Sequence, residues 1–447
     1  MSTGPYATLI RGGTLILPDG ESGIRAEPGD LLMEGDRIAR VGVVDDPPEG
    51  ARVIYASGCA VLPGFVQTHV HLCQTLFRGI ADELPLLTWL RERVWPLEAA
   101  HTPQSIRASA RLAVAELLLS GTTAVQTMES VHHTGAVIEV LAESGMFAIT
   151  GKCLMDDPAT TPPELLQPTE TALGEAVDLV ELWDGSGRGR IRICLAPRFA
   201  VSCTDACMSE VAVLAKTGGW RVHTHASENR DEVTLVEQRT GRRNIHYLAD
   251  IGLAGDHVGL AHCIWVDEDE VDTLATTGSH VLHCPGSNCM LGSGIAPVPL
   301  FLDRGVSVSL GADGAACNNT LDMFREMRLA TMLQKSVHGP LAMPASTLLD
   351  MATRRGAQAL GWGAEMGSLV PGSIANVLLV SLDGTHATPA PDPLSTLAYC
   401  CRSADIRAVW LAGEQVVSEG RLALWDEDEI RREARREARG LVERAGI

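Results

Sequence analysis

The stretch Val61-Leu-Pro-Gly-Phe-Val-Gln-Thr-His69-Val-His71 decides how this chain is to be read. An apolar run broken at Pro63-Gly64 resumes as a strand and ends in two histidines one residue apart. Side chains at i and i+2 of a strand point the same way, so both imidazoles converge on one point. That is the geometry of a ligand pair, and its rival is two histidines at a solvated strand end. The choice rests on whether further ligands arrive at later strand ends.

Downstream, short apolar strands alternate with helical stretches, the pattern of a parallel sheet. The candidates are 61–68, 123–127, 147–151, 191–196, 221–224, 258–261, 280–282 and 307–310. Eight such strands within one stretch of chain predict an α/β fold, a TIM-like (β/α)8 barrel with its site at the C-terminal strand ends. A doubly wound sheet is the alternative, but no Gly-x-Gly-x-x-Gly follows an early strand. Residues 1–57 and 366–424 are instead β-rich runs between Gly, Pro and Asp turns, with Gly413 at a hairpin turn. The expected organisation is a small antiparallel β-sandwich shared by residues 1–57 and 366–424, a catalytic barrel over 58–365, and a polar C-terminal helix over 425–447. Glu427/Arg431 and Asp428/Arg432 are spaced i, i+4 on that helix, which reads as a surface cap.

With 447 residues and 45% hydrophobic content the chain can bury a large core. Fifty-six acidic against 36 basic side chains give a formal charge of -20, which repels nucleic acid and anionic membrane surfaces. No apolar run reaches membrane-spanning length, and Met-Ser-Thr-Gly-Pro-Tyr lacks the segments of a signal peptide. A cytoplasmic protein is expected, acting on a small molecule with neither nucleic acid nor membrane as partner; a homo-oligomer is left open. The 12 cysteines then read as reduced, buried side chains, and Cys203 and Cys207 receive no role.

Polar residues just after the strands form one series: His69 and His71, Lys152, Arg198, His225 and Glu228, His262, His283, Asp313. Any one of these histidines alone would be read as a packed core residue; their recurrence on one rim reverses that. Three histidines and a carboxylate suit zinc or iron with a position left for water, whose pKa the metal lowers. His223 and His225 lie i and i+2 on one strand, so on spacing alone either could reach the metal.

The motifs His69-Val-His71, His225-Ala-Ser-Glu228, Ala261-His262-Cys263, His283-Cys-Pro-Gly-Ser-Asn288 and Leu310-Gly-Ala-Asp313 resemble the amidohydrolase superfamily. The nearest branch holds the S-adenosylhomocysteine, methylthioadenosine and 5'-deoxyadenosine deaminases and the s-triazine chlorohydrolases and aminohydrolases, and the likeness covers almost the whole chain. It implies metal ligands His69, His71, His225 and Asp313, with Glu228, His262 and Asp313 handling protons. It selects His225 over His223 because Glu228 follows three residues later. Binuclear members carry a modified lysine on the fourth strand where this chain has Arg198, so one Zn2+ per subunit is expected, with Fe2+ as the other candidate. Lys152 on the third strand is the weak point of that count, read as a substrate or salt-bridge lysine.

The implied chemistry is hydrolytic deamination of an amino-substituted N-heterocycle with release of ammonia. Water attacks an electron-poor ring carbon, Glu228 protonates the neighbouring ring nitrogen, and Asp313 passes a proton to the leaving amine. By the same resemblance Trp89 stacks on the base and Glu98 takes the ribose hydroxyls, as an indole face and a carboxylate can; their rival is an amphipathic helix with a packed Trp89 and a solvated Glu98. Arg198 stands where the adenosylhomocysteine deaminases usually have histidine, and Glu129 has no counterpart there. Glu129 is read as pairing with Arg198 or Lys152 across the mouth, or as contacting an exocyclic amine. Arg198, Glu129, Lys152 and His283 complete the expected substrate set. The alternatives are a triazine chlorohydrolase or aminohydrolase, a guanine-type deaminase, a dihydropyrimidinase-like cyclic-amide hydrolase, which would want the bridging lysine, and an inactive barrel scaffold, which should lack a ligand or Glu228.

Overall fold

The computed structural model describes residues 7–20 and 23–447; residues 1–6, whose composition argued against a leader, lie outside them. In chain order the strands are β1 (Ala7–Asp19), β2 (Gly23–Glu34), β3 (Arg37–Gly42), β4 (Arg52–Tyr55), β5 (Cys59–Pro63), β6 (Phe65–His71), β7 (Thr122–Met128), β8 (Phe147–Gly151), β9 (Cys153–Leu154) and β10 (Ile191–Ile193). They continue as β11 (Ala196–Pro197), β12 (Val222–Ala226), β13 (Val258–His262), β14 (His280–His283), β15 (Ser307–Leu310), β16 (Asp313–Gly314), β17 (Val377–Ser381), β18 (Ile406–Leu411), β19 (Glu414–Ser418) and β20 (Arg421–Leu422). Contacts group the chain into two compact units, Met1–Gln67 with Ala115–Ala124 and Asp322–Asp426, and Thr68–Val114 with Val125–Leu321 and Glu427–Ile447. Among the described residues no helix is long and apolar enough to cross a membrane.

In the first unit both chain ends build a nine-stranded sheet in the order β20-β19-β18-β17-β5-β1-β2-β3, with β4 also on β1. Its face buries Ile10, Leu15, Leu31, Val61, Val377 and Trp410 in one apolar cluster, removing large side chains from water. The sheet is mixed rather than antiparallel, because β4 and β5 return alongside β1 in its own direction. Ala412 and Gly413 turn β18 into β19 with positive φ of 45° and 76°, the twist that a tight hairpin prefers. Gly413 is required there, since a Cβ would lie 1.9 Å from the Gly35 carbonyl oxygen.

The run expected as one strand, 61–68, is two. β5 pairs antiparallel with β17 in the terminal sheet, and β6 starts only after Gly64. Proline supplies no N–H for continuing a ladder, and a Cβ on Gly64 would strike the Thr123 side chain at 2.1 Å. The Pro63-Gly64 break therefore hands the chain from one sheet to another.

The remaining strands form a TIM-like α/β arrangement. β10, β8, β7, β6 and β16 are neighbours in one sheet, and β12, β13, β14 and β15 in another. Leu195, just past β10, bridges in parallel to Val222 of β12. At the other side the chain runs from β15 through Gly311 into β16, which pairs in parallel with β6 as Asp313↔Val70 and Gly314↔His71. Helices such as Pro103–Leu119, Thr134–Ser144, Asp205–Gly218, Arg230–Thr240 and Glu268–Thr277 intervene between strands, which is how parallel neighbours are joined. The C-terminal helix Glu427–Ala445 buries Ile430, Ala434 and Leu441, contacting the Leu72–Phe77 and Trp95–Ala99 turns. Its Arg431 bonds both Glu427 and Asp428.

Candidate active site

β6 is buried along its whole length, and its last inward positions carry His69 and His71. Both Nε2 atoms face one carboxylate oxygen, Asp313 Oδ1, at 3.3 and 3.2 Å. His225, from β12, brings its Nε2 to 3.3 Å from that of His71. One ligand atom from each of His69, His71, His225 and Asp313 falls within 4.8 Å of all the others.

The protons on these rings can be placed by their outer contacts. His71 Nδ1 donates to the Met128 carbonyl at 2.6 Å, and His225 Nδ1 to the Arg198 carbonyl at 2.6 Å. A carbonyl only accepts, so each Nδ1 carries hydrogen and a neutral ring presents a bare Nε2 lone pair to the centre. Burial holds His225 well below its usual pKa, the neighbouring His69 and His71 adding to the effect. Two lone pairs 3.3 Å apart repel unless a cation or a proton lies between them. Burial also opposes charge on His71, but the hydrogen bond and charge of Asp313 outweigh it and raise its pKa; proton and metal compete for the same atom. His69 is pushed down to about 4 by burial, and its Nε2 has no hydrogen-bond partner. Three imidazoles anchored from behind and one carboxylate fit a divalent metal with room for water. His223, the other candidate on β12, sits behind the group, its Nε2 2.7 Å from His69 Nδ1.

Beside this group lies a second set. Glu228 Oε2 is 3.6 Å from His262 Nε2, and His262 Nε2 is 3.8 Å from Asp313 Oδ2. His262 Nδ1 is held by Asn288 Oδ1 at 2.8 Å, and Ser287 Oγ donates to Asp313 Oδ2 at 2.6 Å, so the Ser287-Asn288 pair aims two site residues. The Glu228 backbone is fixed by Glu232, which accepts its N–H at 2.7 Å and closes a capping box with Asn229. Burial pushes the Glu228 carboxyl up to about 7, against the opposing charge of His262. Burial opposes the charge of Asp313 too, but His69 and His71 hold it well below the carboxylate range. Ser227, His262 and Asp313 have φ of 53°, 74° and 62°. Such left-handed backbone at non-glycine positions concentrates at working sites.

These groups open onto a cavity whose wall includes His71, Gln74, Trp89, Arg198, Glu228 and Asp313. Trp89 and Arg198 are thus both on the cavity wall. Glu98 does not present a free carboxylate: Arg198 Nη1 and Nη2 donate to its two oxygens at 2.7 and 3.3 Å, and Gln74 Nε2 at 2.9 Å. Two other expectations are corrected. Glu129 pairs with neither Arg198 nor Lys152; its oxygens accept the backbone N–H groups of Leu72 and Cys73 at 3.3 and 2.9 Å, tying down the turn after β6. Lys152 donates to the Val131 carbonyl and Gln167, with Glu175 at 3.1 Å, so of the two roles expected for it the salt bridge is the one observed. Neither residue lines the cavity, because the chain after β7 and β8 turns their side chains into the loops. His283 is buried with both ring nitrogens unpaired and is off the cavity wall. A third buried group, Asp156 with Cys203 and Cys207, is occupied internally, Asp156 accepting from Thr169 and Thr204. Gln74, Ser287 and Asn288 were missed; the signal for the last two was their place in the motif beginning at His283.

Gly311 controls how closely β16 approaches β6. A Cβ there would lie 2.7 Å from the His69 carbonyl oxygen and 2.8 Å from its nitrogen, backbone atoms that cannot swing aside. Gly311→Ala is expected to cost about 1–3 kcal/mol as overpacking and to pull Asp313 from His69. A lower melting temperature with poorer metal retention on desalting would show it; a variant melting like the parent would contradict it.

Residues 60–416 match the amidohydrolase family. A 5-methylthioadenosine/S-adenosylhomocysteine deaminase of Haloarcula marismortui is 38% identical over 441 residues, 98% of this chain and 99% of the relative. A 5'-deoxyadenosine deaminase of Methanothermobacter thermautotrophicus is 36% identical over 89% of this chain and 91% of its own length. The crystal structure of an adenosine deaminase from Xanthomonas campestris with bound zinc superposes with a TM-score of 0.91 at 30% identity, covering 97% of this chain and 98% of that one.

Proposed function

The chain belongs to the amidohydrolase family and is a metal-dependent hydrolase acting on C–N bonds of a small molecule, and from that premise we propose that it deaminates the adenine ring of an adenosine derivative. S-Adenosylhomocysteine, methylthioadenosine and 5'-deoxyadenosine are the substrates that the relatives' names bring to it. The observation that carries the reading is a buried carboxyl, Glu228, with a pKa near 7 beside His69, His71, His225 and Asp313. In this reading those four hold one divalent metal, zinc being the ion in the Xanthomonas structure. When bound, it supplies a water that is nucleophilic at neutral pH.

The rest falls to the chain's own side chains. Glu228 in its acid form donates a proton to the ring nitrogen next to the attacked carbon, so that negative charge does not accumulate on the ring. His262, with Nδ1 donating to Asn288, keeps Nε2 towards the gap between Glu228 and Asp313, where the attacked carbon would sit. Asp313 takes the water's proton and returns it to the departing amine, while Ser287 holds its other oxygen. Trp89 offers a flat apolar face to the base. Glu98 reaches substrate hydroxyls only as the partner of Arg198, which makes the pair, rather than the carboxylate alone, the polar end of the cavity. On the same footing, the sheet from both chain ends is read as a split β-sandwich over 1–57 and 366–424, and the free state of all twelve cysteines supports a reducing cytoplasm.

The test is ammonia release from metal-loaded protein across adenosine derivatives, guanine bases and amino-triazines, with chloride release followed on chlorinated triazines. Ammonia from at least one adenosine derivative, lost on chelation and restored by metal, is expected. Silence across the panel with metal bound would overturn the reading.

A further inference from the structure

Gln74 lies three residues beyond His71 in the Leu72–Phe77 turn, is 1% exposed, and lines the cavity with His71 and Asp313. Its amide orientation is settled by its neighbour. Nε2 donates to Glu98 Oε1 at 2.9 Å, and a carboxylate oxygen paired with Arg198 only accepts. The other end of the amide must therefore be the carbonyl oxygen, and this Oε1 has no hydrogen-bond partner. It points at Gly314, where a Cβ would stand 2.2 Å away; the Gly314 N–H cannot serve it, being bound to Asp313 Oδ1 at 2.7 Å. A buried acceptor left unmet is costly, and here it lies against Gly314, the residue after the carboxylate that takes part in amine release.

We propose that the Gln74 carbonyl oxygen recognises the leaving amine by accepting one of its N–H bonds, so that the site selects amino over halide or alkoxy substituents at the carbon being hydrolysed. The inference rests on the deaminase reading above and deepens it. In an adenine ring whose glycosidic nitrogen is substituted, the ring nitrogens facing solvent are acceptors and the exocyclic amine is the sole N–H donor. Glu228 supplies the donor for a ring nitrogen; Gln74 supplies the acceptor for the amine. Glu98 and Arg198 hold the amide in that orientation before any substrate binds.

The experiment compares purine ribosides bearing amino, methoxy or chloro at the reacting carbon, in metal-loaded wild type and Gln74→Met. Methionine keeps the volume and removes the acceptor together with the Nε2 donor to Glu98, a loss common to all three compounds. The expected result is that kcat/KM for the amino compound falls about 10- to 100-fold, the worth of a buried polar group losing its partner, while the methoxy and chloro compounds hold close to their wild-type values. A uniform fall for all three leaving groups, or no fall for the amine, overturns the proposal. Ribosides lacking one sugar hydroxyl serve as the other arm: if Gln74→Met loses its effect only on these, the acceptor meets an O–H and the proposal fails. Metal content and melting temperature, measured on Gln74→Met and on Gln74→Ala, separate misfolding from lost recognition. If wild type itself releases no ammonia from any compound, the deaminase reading has failed instead, and that outcome is recognisable without the variants.

Discussion

Glu228→Gln should retain its metal and lose about two to four orders of magnitude in turnover, the usual contribution of a positioned acid. The substitution conserves volume and leaves an oxygen or an amide for Ser293, whose hydroxyl donates to Glu228 Oε1 at 3.4 Å. It does not touch the group formed by His69, His71, His225 and Asp313, so metal content should match the parent. What the amide cannot do is give up a proton. The loss should therefore fall on kcat with KM little changed, as for an interaction made in the transition state. The pH profile supplies a second readout. The carboxyl is raised to about 7 by burial, and its acid form is the working one; activity should be full below that pH and decline as pH rises through it. Glu228→Gln should abolish that alkaline limb as well as the rate. A variant with near-parental turnover would remove Glu228 from the reaction.

Arg198→Met should be the most destabilising single change in the cavity wall. Arg198 and Glu98 side chains are 5% and 1% exposed, and the pair is doubly hydrogen-bonded. Removing the guanidinium strands a buried carboxylate, which costs about 3–5 kcal/mol, whereas replacing both partners with apolar groups of like volume is close to neutral. The informative measurement is the ordering of four proteins in thermal melts: wild type and Arg198→Met/Glu98→Met close together, Arg198→Met and Glu98→Met well below. If the double variant melts as low as the single ones, the pair's value is in packing and not in charge balance. Binding of nucleosides should suffer in Glu98→Met and in the double variant, where Gln74 loses the neighbour that orients it.

His69 and His71 were legible as a pair because strand periodicity dictates that they face one way, and the rest of the series because parallel α/β strands deliver the residues after them to one rim; choosing His225 over His223 took the family resemblance. The side-chain partners were not. Glu129 and Lys152 follow strands just as Glu228 does, yet the loops after β6 and β7 satisfy them on backbone groups. Nothing in local spacing distinguishes these cases, since the partners come from other loops. Gln74 was overlooked for a related reason: a glutamine in an apolar run has no chemistry of its own until Glu98, 24 residues away, fixes which end of it faces the cavity. The Pro63-Gly64 break was visible, but which sheet each half would join depended on β17, formed by residues far along the chain.

The pairing of β16 with β6 is only two residues long, joining Asp313 and Gly314 to Val70 and His71. Contacts between such distant parts of a sequence form late, after the entropy of closing the intervening loop has been met. His69 and His71 emerge early, yet they have no carboxylate to work with until the last strand is laid beside them. The centre is therefore a product of that short pairing, and a partly folded chain carries the histidines without the site.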